Sequence, residues 1–427
     1  MRPVQEHRHA LRSGAYDRKL EQLYCCTIGD GGSFAKRYLA LLDKLEETFG
    51  AKTRAALFSA PGRTEIGGNH TDHQHGRVLT GSVNLDMIAA VGENGLDQLR
   101  VLSEGYPLEV IHLSELEKRP GEENTSAAIL RGSLKAFADR GAKLRGLDVY
   151  ISSNVPKGSG LSSSAAFEVL IGTILNEQCM EQKVSPVEIA RIGQWVENVY
   201  FGKPCGLMDQ MASSVGNVIT IDFADPSDPV VEPVNVDFGK AGLALCILDS
   251  GADHADLTDE YAAVPDECRA VARLLGKEVL RELPFEKFLS GIPLCREKLG
   301  DRAVLRAFHF YADNDRVPQQ VEALKKGDFE AFLKLVNDSG HSSWECLQNV
   351  IPAGYKAHQE VAVAITAAKQ VLKGRGAVRV HGGGFAGTVQ AFVPADMLAE
   401  FKLGTEAVLG KGKCHILSIR PVGGVKL

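Results

Sequence analysis

The chain of 427 residues contains no run approaching the ~20 consecutive apolar residues that a membrane helix requires. It has no block of Lys and Arg either. Its 48 basic residues stand against 54 acidic ones, giving a net charge of −6. Nucleic acid and anionic membrane surfaces both demand clustered positive charge, so neither is expected as a partner. The nine cysteines include no C-x-x-C pair, their number is odd, and only Cys25 and Cys26 lie close together. That pattern excludes a disulfide framework and reads as the reduced thiols of a cytoplasmic protein. The opening stretch MRPVQEHRHALRSGAYDRKL is polar and lacks an apolar core, so no signal peptide is expected. There is no internal repeat, no low-complexity tract and no G-x-x-x-x-G-K-[ST] phosphate loop.

What is present is ordinary for a globular protein, with 44% hydrophobic and 24% charged residues. The length favours two or three domains. Helix-like and strand-like segments alternate. Tyr38, Leu41, Leu42 and Leu45 form a helical stripe within Phe34–Gly50. Leu147, Val149 and Ile151 alternate as in a half-buried strand. Asp222–Pro233, rich in Asp and Pro, reads as a connection between domains. Helical segments follow at VPQQVEALKKG and DFEAFLKLVND, then two strands, AVRVH and TVQAFVP. A mixed α/β or α+β protein of two domains is expected.

Three segments carry chemistry. The run Gly382–Gly387 fits G-x-G-x-x-G, but a strand follows it where a dinucleotide fold needs a helix. It reads instead as a tight loop between strands, either a hairpin turn or a place where a backbone or ligand approaches Gly382, Gly383 and Gly384 closely. The second segment, NVPKGSGLSSSAAFEVLIGTIL, runs from a strand through Gly158, Ser159, Gly160 and Leu161 into a helix that opens at Ser162, Ser163 and Ser164. Serine hydroxyls can cap that helix, and its free N–H groups with the helix dipole suit phosphate. The third, APGRTEIGGNHTDHQHG, packs Arg63, Glu65, Asn69, His70, Asp72, His73 and His75 into thirteen positions. It suits a polyol site on Asn69, His70 and Asp72, a metal site on His70, Asp72, His73 and His75, or a solvated loop.

Together with GKPCGLMDQMASS (Gly202–Ser214), these segments follow the order and approximate spacing of the GHMP small-molecule kinases. Among them the chain resembles the galactokinase family over nearly its whole length. The resemblance implies an α+β fold of two domains, with an S5 domain 2-like unit over residues 1–222, a ferredoxin-like unit over 223–427 and the site in the cleft between them. It implies ATP and Mg²⁺, and phosphoryl transfer to the C1 hydroxyl of galactose to give galactose 1-phosphate and ADP. Asp209 matches the catalytic carboxylate and Arg63 its partner. Ser164 and Glu197 match the Mg²⁺ positions, Gly158 to Ser163 the triphosphate loop, and His70, Asp72, Gly206 and Tyr261 the sugar contacts. The glycines of 382–387 are expected beside the phosphate loop. A small-molecule sugar and ATP are the only partners expected, with the chain a monomer.

The family pattern is broken at three places, one of them His73, where an aromatic residue normally follows the Asp. The usual signature has Asn two places after the Arg and Glu before His-Thr-Asp, where this chain has Glu65 and Asn69. The family's Glu contacts the far hydroxyl end of the sugar, so Asn69 is expected there, and a related acceptor (galacturonate, arabinose or N-acetylgalactosamine) stays open beside galactose. The remaining alternatives are a sugar and ATP sensor without turnover, and a metal hydrolase built on the histidines.

Overall fold

The computed structural model describes residues 1–26, 30–156, 160–252 and 257–427. Nine strands make one mixed sheet: β1 (Arg2–Pro3), β2 (Arg54–Gly67), β3 (Arg77–Glu93), β4 (Gln98–Ser103), β5 (Glu109–His112), β6 (Leu147–Ser153), β7 (Val218–Asp222), β8 (Val230–Val234) and, from the end of the chain, β13 (Val425–Lys426). The intervening strands β9 (Leu243–Asp249), β10 (Ala377–His381), β11 (Thr388–Pro394) and β12 (Cys414–Leu417) make a second, antiparallel sheet in the order β10-β11-β9-β12. The first sheet is antiparallel apart from the β4–β6 pair. This two-sheet architecture agrees with the α+β fold that the family resemblance implies.

Several elements form as their residues dictate. The stripe around Tyr38 becomes the helix Gly31–Phe49, and Leu147–Ser153 becomes β6. Elsewhere tertiary context overrides local signals. The Pro-rich connection expected at 222–233 contains β8, with Pro233 opposite Ile219. Because β8 pairs only with β7, an edge position accommodates a residue that lacks a ladder donor. The first sheet therefore runs past residue 222, and β13 returns to it from the far end of the chain. VPQQVEALKKG is not a separate helix but the end of Asp301–Lys326, which passes through Pro318. Its buried stripe of Val304, Ala307, Val317, Val321 and Leu324 holds the helix continuous across the missing donor.

Each sheet buries both faces. One face of the first sheet packs on the helices Ser126–Asp139, Ser163–Cys179 and Pro186–Val196 through Phe58, Val91, Val149, Leu170 and Ile174. Its other face is covered by the N-terminal helices through Leu20, Tyr24, Tyr38 and Leu42. In the second sheet the strand alternation separates two environments. Val378 and Val380 of β10, and Val389, Ala391 and Val393 of β11, join the core shared with the helices Glu360–Leu372 and Leu398–Leu409. Arg379, His381, Thr388 and Gln390, on the opposite face, are buried without belonging to an apolar core. They meet β2.

The N-terminal helices are tied to this scaffold by one buried carboxylate, Asp86 of β3. Tyr24 Oη donates to it at 2.6 Å, Arg37 at 2.9 Å, and the Ser59 hydroxyl donates as well. The wholly buried Arg420 lies 3.4 Å from the same carboxylate. Removing one member of a buried ion pair strands the other, at a cost of about 3–5 kcal/mol. Asp86→Ala is therefore expected to lose about that much stability in urea unfolding, against less than about 0.5 kcal/mol for an exposed carboxylate such as Glu47. An equal, small effect at both positions would show that Asp86 is not the anchor.

Candidate active site

β2 delivers Arg63 to the cleft by breaking its own register. The pairing of β2 with β3 shifts between Pro61 and Arg63, and again between Glu65 and Gly67. Such irregularities re-aim side chains. Gly62 lets the strand lie against the phosphate loop, since a Cβ there would stand 2.8 Å from the Leu161 carbonyl. Arg63 N–H donates to that carbonyl at 3.0 Å. The Arg63 guanidinium then grips Asp209 with two hydrogen bonds, Nε to Oδ1 at 2.6 Å and Nη2 to Oδ2 at 2.8 Å, and its Nη1 donates to the Gly160 carbonyl. Asp209 sits in the first turn of the helix Met208–Val215, where the dipole favours negative charge. Burial works against its ionised form, yet the Arg63 charge and the Arg63 and Ser162 hydrogen bonds prevail and hold its carboxyl below the usual range. Arg63 is likewise held charged by Asp209 against its burial.

Ser162 does not cap the helix Ser163–Cys179 as expected. It enters the helix in the left-handed region at φ 54°, its side chain makes no capping bond, and its hydroxyl donates to Asp209 Oδ2 instead. The left-handed backbone turns the hydroxyl toward the carboxylate, a strong acceptor, and the helix N-terminus is left without a side-chain cap. Gly158 and Ser159 lie outside the described residues. Leu161 is buried in the core between the two sheets. Beyond the loop opens a cavity of about 620 Å³. Met87, Val101, Ile129, Leu130, Ile151 and Phe167 supply its apolar walls. Ser163, Ser164, Glu168 and Glu197 supply polar groups at its helix end. Glu197 opens a π-helical turn, Glu197–Phe201, at the end of the helix Pro186–Val196. Burial, and then the neighbouring Glu197, pushes the Glu168 carboxyl well above its ordinary range.

The signature turn after β2 meets the glycine loop. His70 has φ 59°, its Nε2–H donates to the Gly383 carbonyl at 2.9 Å, and its Nδ1 is buried without a partner. Burial and the adjacent His73 lower its pKa to about 4. Asp72 approaches Gly206 so closely that a Cβ there would lie 2.6 Å from its Oδ2. Gly383 admits the ring of Tyr261, and Gly384 admits the Asn349 backbone, where a Cβ would stand 2.6 and 2.2 Å away respectively. Gly382 and Gly384 also hold φ of 66° and 79°. Tyr261 Oη donates to the Gly384 carbonyl at 2.6 Å.

The glycines pack on His70, Asn69, Tyr261 and Asn349, and the described part of the phosphate loop lies against the residues that flank them. A Cβ at Gly160 would lie 3.0 Å from Thr388 Oγ1 and 3.1 Å from His381 Nδ1. Asn69 does not line the cleft. It is wholly buried, its amide donates to Glu65 at 3.0 Å and to the Gly382 carbonyl at 2.7 Å, and its oxygen accepts from Ser343 at 3.2 Å and Asn349 at 2.9 Å. With every hydrogen bond used inside the protein, it has none for a sugar. The histidine-rich metal reading finds no support in the structure, since no group of three His, Cys, Asp or Glu suited to a metal occurs among the described residues.

Sequence reasoning overlooked Arg379, His381, Glu168 and Gln210. Glu168 carried a usable signal, since it stands four residues after Ser164 and shares its helix face. Gln210 is adjacent to Asp209. Arg379 and His381 carried a weaker one, as polar residues alternating with valine in a strand.

Comparison with known proteins agrees with this geometry. A model of the galactokinase galactose-binding signature matches residues 43–93, and a model of the GHMP kinases N terminal domain matches residues 128–217. A galactokinase of Glaesserella parasuis is 30% identical over 82% of this chain and 88% of its own length. One of Streptomyces coelicolor is 31% identical over 70% of this chain and 76% of its own. The crystal structure of Lactococcus lactis galactokinase complexed with galactose superposes with a TM-score of 0.78 at 26% identity, covering 92% of this chain and all of that one. No helix among the described residues is long and apolar enough to cross a membrane. The chain belongs to the galactokinase family of GHMP kinases.

Proposed function

We propose that this protein transfers the γ-phosphoryl group of ATP to the C1 hydroxyl of galactose, releasing galactose 1-phosphate and ADP. The observation that carries the reading is the two-pronged Arg63–Asp209 pair, joined to the phosphate loop through Gly160 and Ser162. Phosphoryl transfer depends on positioning and charge stabilisation more than on covalent help. Asp209 would accept the C1 hydroxyl as a hydrogen-bond donor and aim its oxygen at the γ-phosphorus. A carboxylate held below its usual pKa is a weak base, so it receives the proton late, as the O–P bond forms, and its main role is orientation. Arg63 faces the transferred group and offsets its charge.

His70, neutral at Nδ1, would accept one sugar hydroxyl while its Nε2–H stays on Gly383. Asp72 would accept others beside Gly206, and Tyr261 would form the wall under the glycine loop. Gly158, Ser159, Gly160, Leu161, Ser162 and Ser163 would wrap the triphosphate at the uncapped helix N-terminus, and the 620 Å³ cavity would take the nucleoside. Mg²⁺ would be held by the Ser164 hydroxyl and Glu197, which fits an ion that uses one or two carboxylates besides phosphate oxygens and water. Bound there, it would neutralise charge on the phosphates. The halves 1–222 and 223–427 would contribute the nucleotide loop and the glycine loop respectively. All these groups come from one chain, in keeping with a monomer. The nine cysteines are free, in keeping with a cytoplasmic setting.

ADP formation from Mg-ATP with galactose, galacturonate, arabinose, N-acetylgalactosamine and no acceptor tests the reading. Galactose is expected to turn over fastest, and Asp209→Asn to lower kcat by about 10²–10⁴-fold while leaving ATP binding intact. Preference for another sugar would reassign the acceptor, and binding of both ligands with no turnover would make the protein a sensor. The pH profile offers a second check. His70, with its pKa lowered to about 4, is neutral above that value and gains a proton as pH falls through it, losing the lone pair offered to the sugar. Asp209 stays ionised over the same range. The acid limb of kcat/KM for galactose is therefore expected near pH 4, and a limb near the ordinary imidazole value would refute this role of His70.

A further inference from the structure

The end of the cavity that meets Ser164 carries one more buried carboxyl group than a single metal carboxylate explains. Glu168 stands one helical turn beyond Ser164, so both project from the same face of Ser163–Cys179, and both line the cavity with Glu197. Glu168 is 3% exposed and Glu197 5%. A single amide joins them: Gln210 Nε2 donates to Glu168 Oε2 at 3.0 Å and to Glu197 Oε2 at 2.9 Å. The two carboxylates are thus no farther apart than two hydrogen bonds on one nitrogen allow. Lys203 reaches only to 3.9 Å from Glu197 and is largely exposed. The other end of the amide, Gln210 Oε1, is buried with no partner at all. Two buried carboxylates beside an unused acceptor form an environment that takes up positive charge and donated hydrogens.

We propose that Glu168 and Gln210 form an outer layer of the divalent-cation site, in which Gln210 fixes the Glu197 carboxylate while Glu168, which lines the cavity beside Ser164, accepts hydrogens from water on the cation. Mg²⁺ keeps several of its waters, so such acceptors have a defined partner. Gln210 follows Asp209 directly, so the helix that carries the catalytic carboxylate also carries the residue that orients the metal carboxylate. Both are positioning residues. The inference rests on the assignment of Ser164 and Glu197 to the cation made above.

Mn²⁺ binding, read from the loss of the free-ion paramagnetic resonance signal in the presence of a non-hydrolysable ATP analogue, tests it without turnover. Loss of an outer partner typically weakens metal binding by about 10–100-fold. Glu168→Gln and Gln210→Met are expected to weaken Mn²⁺ by about that factor, with the galactose KM unchanged, and Glu168→Asp to recover part of the loss. Without metal, Glu168→Gln is expected to unfold at the same or a higher temperature than the parent, because a neutral amide of the same shape is less costly to bury beside Glu197 than a carboxyl group. A merely structural Glu168 would lower the unfolding temperature and leave Mn²⁺ affinity unaltered, and that result would overturn the proposal. If the parent protein itself fails to bind Mn²⁺ with nucleotide, the assignment of Ser164 and Glu197 fails and this inference falls with it.

Discussion

The structure depends on how the buried polar face of β10 and β11 meets β2. Arg379 is wholly buried, so each of its N–H groups must find a partner inside the protein. Nη1 donates to the Ile66 carbonyl at 3.0 Å, Nε to the Val380 carbonyl at 3.0 Å, and Nη2 pairs with Glu65. Gln390 Nε2 donates to the Glu65 carbonyl at 2.8 Å and the Thr64 hydroxyl at 2.7 Å. His381 Nε2 accepts from the Glu65 N–H at 3.3 Å, which leaves its Nδ1–H for Thr388 at 3.0 Å. A hydrophobic contact between the two sheets could slide, whereas the directional bonds of Arg379, His381 and the Gln390 amide nitrogen fix a single register. Arg63, one residue before Thr64, inherits its position from that register.

The same burial sets the charges of the cleft. His381 stands between Arg63 and Arg379, and its burial, with those two cations, keeps it neutral. His70 is neutral for a similar reason, with His73 in place of the arginines. The positive charge beside Asp209 is therefore carried by Arg63, a group that cannot lose its proton. Arg379 is spent on Glu65. Burial also raises the Glu65 carboxyl above its ordinary range despite Arg379, so the pair behind the site is a costly structure whose value is geometric. His70, His381, Arg63 and Asp209 thus keep their charge states across the neutral range.

Much of this was legible in the sequence because backbone requirements leave local marks. The glycines at 382–384 announce close approach, and Tyr261 and Asn349 are what approach them. The absence of a helix after that run correctly removed a dinucleotide fold. Gly158 to Ser164 announce a loop entering a helix, although the serine expected to cap it turns to Asp209, because that partner is 47 residues away in the chain. The spacing of Ser164 and Glu168 was visible, but its meaning was not, since Gln210 joins Glu168 to Glu197 only after three helices have packed. Arg379 could not be assigned at all from its neighbours: a lone arginine in a valine-rich strand finds its reason in Glu65, 314 residues earlier.

Asn69 and Glu65 illustrate why position in a motif is not role. The family signature places an amide and a carboxylate at these sites in the opposite order. Here both groups are present but exchanged, and the two side chains are hydrogen-bonded to each other. The exchange conserves the donors and acceptors of the pair while moving the charge from the turn to the strand. At 65 the carboxylate meets Arg379. At 69 the amide, which can donate as well as accept, satisfies Glu65, Gly382, Ser343 and Asn349 at once, as a carboxylate could not. The backbone follows suit, with Asn69 N–H donating to Asp313 at 2.8 Å and its carbonyl accepting from His309 at 2.9 Å. Asn69 thereby becomes the knot between the signature turn, the glycine loop and the long helix Asp301–Lys326. The acceptor end of the cleft is left with Asp72 and Asp209 as its carboxylates. The positions of His70 and Asp72 then depend on how rigidly that knot holds the turn.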